Sequence, residues 1–196
     1  DLTNYTRTFL LLAVVTTILV HTPQASANDD AEFIKSAFSG KIETIKQLLD
    51  KGINPNLQNE KGFTALMVAS QYGHADIVNL LLEKNANLNL QNAGGSTALI
   101  VAAKNGHEAV VNALLDKGAK VDLQTGDGIS ALMLATQGGH EGIVGSLLIK
   151  GANVNLQTKE KVTALMIAAL EGRTGIVEKP LAKNAQINTQ ASDDTT

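Results

Sequence analysis

Apolar positions in this chain recur with two superposed periods. Ile77, Val78, Leu81 and Leu82 fall at i, i+1, i+4 and i+5, one stripe of a helix. Just before them Thr64 stands where it can cap a helix over Ala65–Tyr72, and Gly73 stops that helix. A second helix then carries the stripe and ends at Asn85, a residue type that tolerates the left-handed backbone of a helix end. An extended stretch, Ala86–Gln91, follows and leads to a turn at Gly95.

The longer period is 33 residues. Thr64, Thr97, Ser130 and Thr163 keep that spacing, as do Leu66, Leu99, Leu132 and Leu165, and Ala69, Ala102, Ala135 and Ala168. Gly73, Gly106, Gly139 and Gly172 form another column, with His74, His107 and His140 beside the first three. Asn85, Gly118, Gly151 and Asn184 mark the second helix ends, and Gln91, Gln124, Gln157 and Gln190 close the units. Phe33, Ala37, Gly40, Leu48, Leu49, Gly52 and Gln58 place a fainter unit on the same grid. One such unit cannot bury its own stripe, whereas a stack shares a continuous core. The expected fold is therefore an all-α repeat solenoid of about five units, each a helix–turn–helix with a β-hairpin-like turn.

These columns resemble the ankyrin repeat family. Gly95-Ser-Thr-Ala-Leu-Ile-Val-Ala-Ala-Lys-Asn-Gly-His107 and Gly62-Phe-Thr-Ala-Leu-Met-Val-Ala-Ser-Gln-Tyr-Gly-His74 follow the family's G-x-T-P-L-H-x-A-A-x-x-G-H. The match covers nearly all of residues 28–192. The signature's Pro is replaced by Ala65, Ala98, Ala131 and Ala164, and its His by Met67, Ile100, Met133 and Met166. The resemblance implies that this His links repeats by hydrogen bonds, so apolar contact is expected in its place.

The expected organisation is a signal peptide over 1–27, an N-terminal capping repeat over 28–60, repeats over 61–93, 94–126 and 127–159, a degenerate repeat over 160–192 and a disordered tail over 193–196. Phe9–Val20 is apolar and shorter than the roughly 20 residues a membrane span needs. Pro23 and the small residues Ala25 and Ala27 follow it, the pattern of a cleavage site before Asn28. Export to a bacterial periplasm, or secretion, is the expectation, with membrane contact only through the signal segment where it is not cleaved. In the last unit Lys161 replaces the turn Gly and Arg173 the His, and Pro180 falls inside the second helix, where a proline costs about 3 kcal/mol.

Composition narrows the function. The 16 basic and 19 acidic residues leave no basic excess for nucleic acid, and 3% aromatic content leaves few rings on which bases could stack. Without cysteine there is no disulfide, thiolate ligand or Cys nucleophile, which suits an oxidising compartment. Histidines one repeat apart are separated by a helix–helix spacing of about 8–10 Å and do not converge on one ion. His107-Glu108 and His140-Glu141 lack the second His of a zinc protease motif. Gly126–Ala131 mimics a dinucleotide fingerprint but sits in a repeat turn. No cofactor, metal or catalytic constellation is expected, and the chain reads as a binding module rather than an enzyme.

The resemblance implies that turn tips and first helices line a concave face that carries the partner contacts. On this chain those positions are Phe38 and Ser39, then Glu60, Lys61, Phe63, Gln71 and Tyr72, then Ser96, Lys104 and Asn105, then Asp127, Ile129 and Gln137, and last Lys159, Glu160, Val162, Leu170 and Glu171. A protein partner is expected there, with a protective or scaffold role in the cell envelope. The alternatives are an effector acting on host proteins and an accessory or inhibitor of a periplasmic enzyme.

Overall fold

The computed structural model describes residues 26–173 and Gly175. The expected signal segment, apart from its last two residues, the Lys179-Pro180 pair and the C-terminal tail lie outside them. Helices alternate in pairs: α1 (Ala27–Phe38) with α2 (Ile42–Asp50), α3 (Ala65–Tyr72) with α4 (Ala75–Glu83), α5 (Ala98–Lys104) with α6 (Glu108–Asp116), and α7 (Ala131–Gly138) with α8 (Glu141–Ile149). The fifth unit opens with α9 (Ala164–Leu170). First helices stack on first helices along the row, second helices on second helices, and each pair packs internally. The arrangement is the expected all-α repeat solenoid.

Each first helix starts where a hydroxyl caps it. Thr64, Thr97, Ser130 and Thr163 accept from the main-chain N–H of Met67, Ile100, Met133 and Met166 at 3.1, 3.2, 3.3 and 3.3 Å. Such a cap stabilises a helix by about 1 kcal/mol. The ends are set by left-handed residues: Gly73 and Gly139 close α3 and α7, and Asn85, Gly118 and Gly151 take positive φ after α4, α6 and α8.

The stripe of the second helices is the core. Ile77, Val78 and Leu81, then Val110, Val111 and Leu114, then Ile143, Val144 and Leu147 are all buried. Each large aliphatic side chain buried this way contributes about 1.5–3 kcal/mol. The columns Ala69, Ala102, Ala135 and Ala168 are fully buried, and their small size lets first helices press together. Met67, Ile100 and Met133, which stand where the family has His, are buried among apolar side chains as expected, whereas Met166 in the last unit is only partly buried.

The second histidine column makes the polar links between repeats. His74 and His107 donate from Nε2 to the carbonyls of Phe38 (3.1 Å) and Gln71 (2.9 Å) in the preceding unit. Arg173, which breaks the His column, does the same work: its guanidinium donates to the Gln137 carbonyl at 3.3 Å, again 36 residues back.

Between each pair and the next the chain makes a compact tip. Asn59, Asn92, Thr125 and Thr158 donate their N–H to the carbonyls of Phe63, Ser96, Ile129 and Val162 at 2.9–3.0 Å. The oxygen of each Asn side chain also accepts two N–H groups of its own tip, from Lys61 and Phe63 at 3.0 Å each, and from Gly94 and Ser96 at 3.0 and 2.9 Å. Local closure of this kind is why Asn and Thr favour turns.

Candidate functional site

First helices and tips lie on the same side of the stack, and two grooves run between them. The larger, about 880 Å³, lies between α1, the first tip and α3. Its walls include Asp30 and Phe38 from α1, Leu57–Lys61 and Phe63 from the tip, and Val68, Gln71 and Tyr72 from α3. The smaller, about 400 Å³, continues across the row, sharing Phe63 and Gln71 with the first and adding Ser96, Lys104, Asn105, Asp127 and Ile129.

Three aromatic rings, Phe38, Phe63 and Tyr72, line the first groove. Phe38 and Tyr72 meet edge to face with centroids 4.7 Å apart, and the Tyr72 ring stacks on His74. Such a ring pair adds about 0.5–1.5 kcal/mol beyond the area it buries. Even so, Phe38 stays 54% and Tyr72 45% exposed. The rings are therefore pinned in place while offering a face to solvent, the arrangement that suits an anchor site.

The structure gathers eleven of the expected contact residues into these two grooves: Phe38, Glu60, Lys61, Phe63, Gln71, Tyr72, Ser96, Lys104, Asn105, Asp127 and Ile129. Seven line neither groove. Ser39 caps the end of α1, its N–H donating to Lys35, and the Gln137 carbonyl is held by Arg173. Lys159 pairs with Asp127 across adjacent tips at 3.5 Å. Glu160, Val162, Leu170 and Glu171 lie further along the row, at the last tip and on and just after α9. Several of the eleven have structural duties as well: the Asn105 side chain bonds Val101 in its own helix, the Gln71 carbonyl receives His107, and Asp127 pairs with Lys159.

Sequence reasoning missed part of the groove floor. Val68, Val101 and Leu134 recur every 33 residues as apolar side chains, so their column reads as core, yet the three line the grooves and only Val68 is buried. Leu57 and Ile34 are missed for the same reason. The available signal was position: each sits one turn from a residue already assigned to the face.

No cluster of His, Asp or Glu suited to a metal ion occurs among the described residues. The histidines beside the glycine column point back at main-chain carbonyls, a structural use. Asp29 has a shifted carboxyl: the Ser26 main-chain N–H, above all, holds it below the usual carboxylate range, helped by the Ser26 hydroxyl and Lys51 and opposed by partial desolvation. Asp29 lies outside the grooves, at the start of α1.

A family model of ankyrin repeats matches residues 33–125 and 120–191, almost the whole described stack. The chain belongs to the ankyrin repeat family. An ankyrin repeat protein of Pseudomonas aeruginosa is 45% identical over 51 residues, 24% of this chain and 30% of that protein. An ankyrin repeat-containing protein of Schizosaccharomyces pombe is 40% identical over 43 residues, 22% of this chain and 21% of that protein. Each match thus spans less than a third of the relative's own length. Ankyrin repeats form a non-catalytic interaction fold, and this chain is a protein–protein interaction module.

Proposed function

We propose that this ankyrin stack is exported and holds a protein partner on the face of its tips and first helices, without chemistry of its own. The observation that carries the binding reading is the first groove, where Phe38, Phe63 and Tyr72 line one cleft and two of the rings stay half exposed. Tyr and Phe anchors of this sort dominate binding energy where they enter a partner's pocket or receive its side chains. Export is supported by the apolar run Phe9–Val20, by the small residues at Ala25 and Ala27, and by the absence of cysteine. On this reading the partner is held in the periplasm, in a protective or scaffold role.

Two measurements test the reading. Immobilised chain is exposed to cell-envelope extract beside the Phe63→Ser/Tyr72→Ser/Ile129→Ser variant. A protein retained by the first and lost from the second supports the face, equal retention moves binding elsewhere, and no retention overturns a stable envelope complex. Fractionation with N-terminal sequencing tests export, for which a mature chain beginning at Asn28 is expected.

A further inference from the structure

Neighbouring tips are joined by a repeated pair of hydrogen bonds. The N–H of Ala93 donates to the Lys61 carbonyl (3.0 Å), that of Gly126 to Gly94 (2.9 Å) and that of Lys159 to Asp127 (3.0 Å). Beside each, a side-chain amide crosses the junction: Gln58 donates to the Gln91 carbonyl (3.2 Å), Gln91 to Gln124 (2.9 Å) and Gln124 to Gln157 (3.1 Å). On the 33-residue grid the first tip should receive the same pair, at the N–H of Glu60 and the carbonyl of Gln58. No tip precedes it among the described residues. Instead α1 begins five positions earlier on the grid than α3, at Ala27 where the register of Ala65 corresponds to Glu32. The chain that could have formed a preceding tip is an added helical turn. Among the described residues neither main-chain group has a protein partner, and both belong to residues that line the larger groove.

We propose that this open end of the tip row binds an extended segment of a partner protein, which completes the junction. A Gln or Asn side chain of the segment donates to the Gln58 carbonyl. Its main-chain carbonyl three residues further on, the spacing of Gln91 to Gly94 within this chain's own tips, accepts from the Glu60 N–H. A neighbouring apolar side chain covers Phe38 and Tyr72. Unpaired main-chain groups at the edge of a hydrogen-bonded row are a template for an added segment, with the pockets beside them giving specificity. The occupant is not a second copy presenting the tips of Gln58, Gln91 or Gln124, because those amides are already committed within their own chain. This inference rests on the partner-binding reading above and names the chemistry of the partner.

The test uses the ¹⁵N-labelled full chain and a cyclised peptide of sequence Leu-Gln-Thr-Gly-Asp-Gly-Ile-Ser, the tip of residues 123–130. Saturable movement of the Glu60 amide and the Tyr72 ring is expected, with binding about two- to tenfold weaker for the Gln124→Ala form of the peptide, the loss of one hydrogen bond. Glu60→Pro, which removes the N–H at an exposed turn, is expected to abolish binding. Should that variant misfold, the two peptides still decide. A stationary Glu60 amide at millimolar peptide, or equal binding of both peptides, overturns the proposal. Movement of Glu60 on raising protein concentration alone overturns the assignment to a different protein. If partner capture is lost in the triple variant while Glu60 never moves, this inference fails and the proposed function stands.

Discussion

Arg173 donates to the Gln137 carbonyl from the position where the preceding repeats place a histidine on the same acceptor column. The junction thus asks for a donor of the right reach, not for an imidazole. His107→Ala should lower stability by about 1–2 kcal/mol, since it removes one hydrogen bond and leaves the Gln71 carbonyl unpaired at a half-buried site. Arg173→His should change stability by less than His107→Ala. Urea melts of the two variants check this, and equal losses would count against the shared role.

Lys161 is the most strained residue of the tips. Its φ is 62°, where the equivalent Gly62, Gly95 and Gly128 adopt 77–79° without a side chain to clash. Lys161→Gly should raise stability by about 1 kcal/mol, the usual penalty of a left-handed residue with a Cβ. The reverse change is worse than its backbone alone implies. A Cβ at Gly95 would lie 2.7 Å from the main-chain N of Gly126 in the next tip, so Gly95→Ala has to push two tips apart. Its expected effect is a loss larger than the Lys161→Gly gain, read as a fall in thermal midpoint.

Most of the stack was legible in the sequence, because a repeat states its own pattern several times over. The helix over Ala65–Tyr72 and its stop at Gly73 lie at the expected residues, since a Thr cap and a left-handed Gly are local signals that tertiary packing does not override. The role of Arg173 was not legible: a broken column reads as decay, and only the acceptor 36 residues away shows that the function of the position survives. The groove floor was half legible for the opposite reason. Val101 repeats as faithfully as a core residue, and periodicity does not distinguish a side chain under a neighbour from one beside an open cleft.

Ser70 and Thr136 occupy one column, with Ala103 and Ala169 at the alternate units. Both hydroxyls are buried without a hydrogen-bond partner among the described residues. Burying an unpaired hydroxyl costs about 1–3 kcal/mol, and the alanine at the same place in α5 shows that the site accepts a plain methyl. Ser70→Ala should therefore stabilise the chain by about 1 kcal/mol. Denaturant titration reads this directly, and a destabilised variant would mean that the hydroxyl is paired in solution.

The start of α1 should report on pH. The Ser26 main-chain N–H donates to the Asp29 carboxylate at 3.0 Å, the Ser26 hydroxyl lies 3.2 Å away, and Lys51 pairs with it at 3.8 Å. Because these contacts hold the folded pKa below the unfolded value of about 3.9, the stability they lend is complete above that value. It is lost as pH falls through the depressed folded value. Ser26→Ala keeps the main-chain donor, the largest cause, so the Asp29 midpoint should rise only part of the way. Ser26→Pro lacks both the main-chain N–H and the hydroxyl and should show the larger rise. ¹³C carboxyl titration of the three chains decides this, and an identical midpoint in all of them would mean that the Ser26–Asp29 cap does not form in solution.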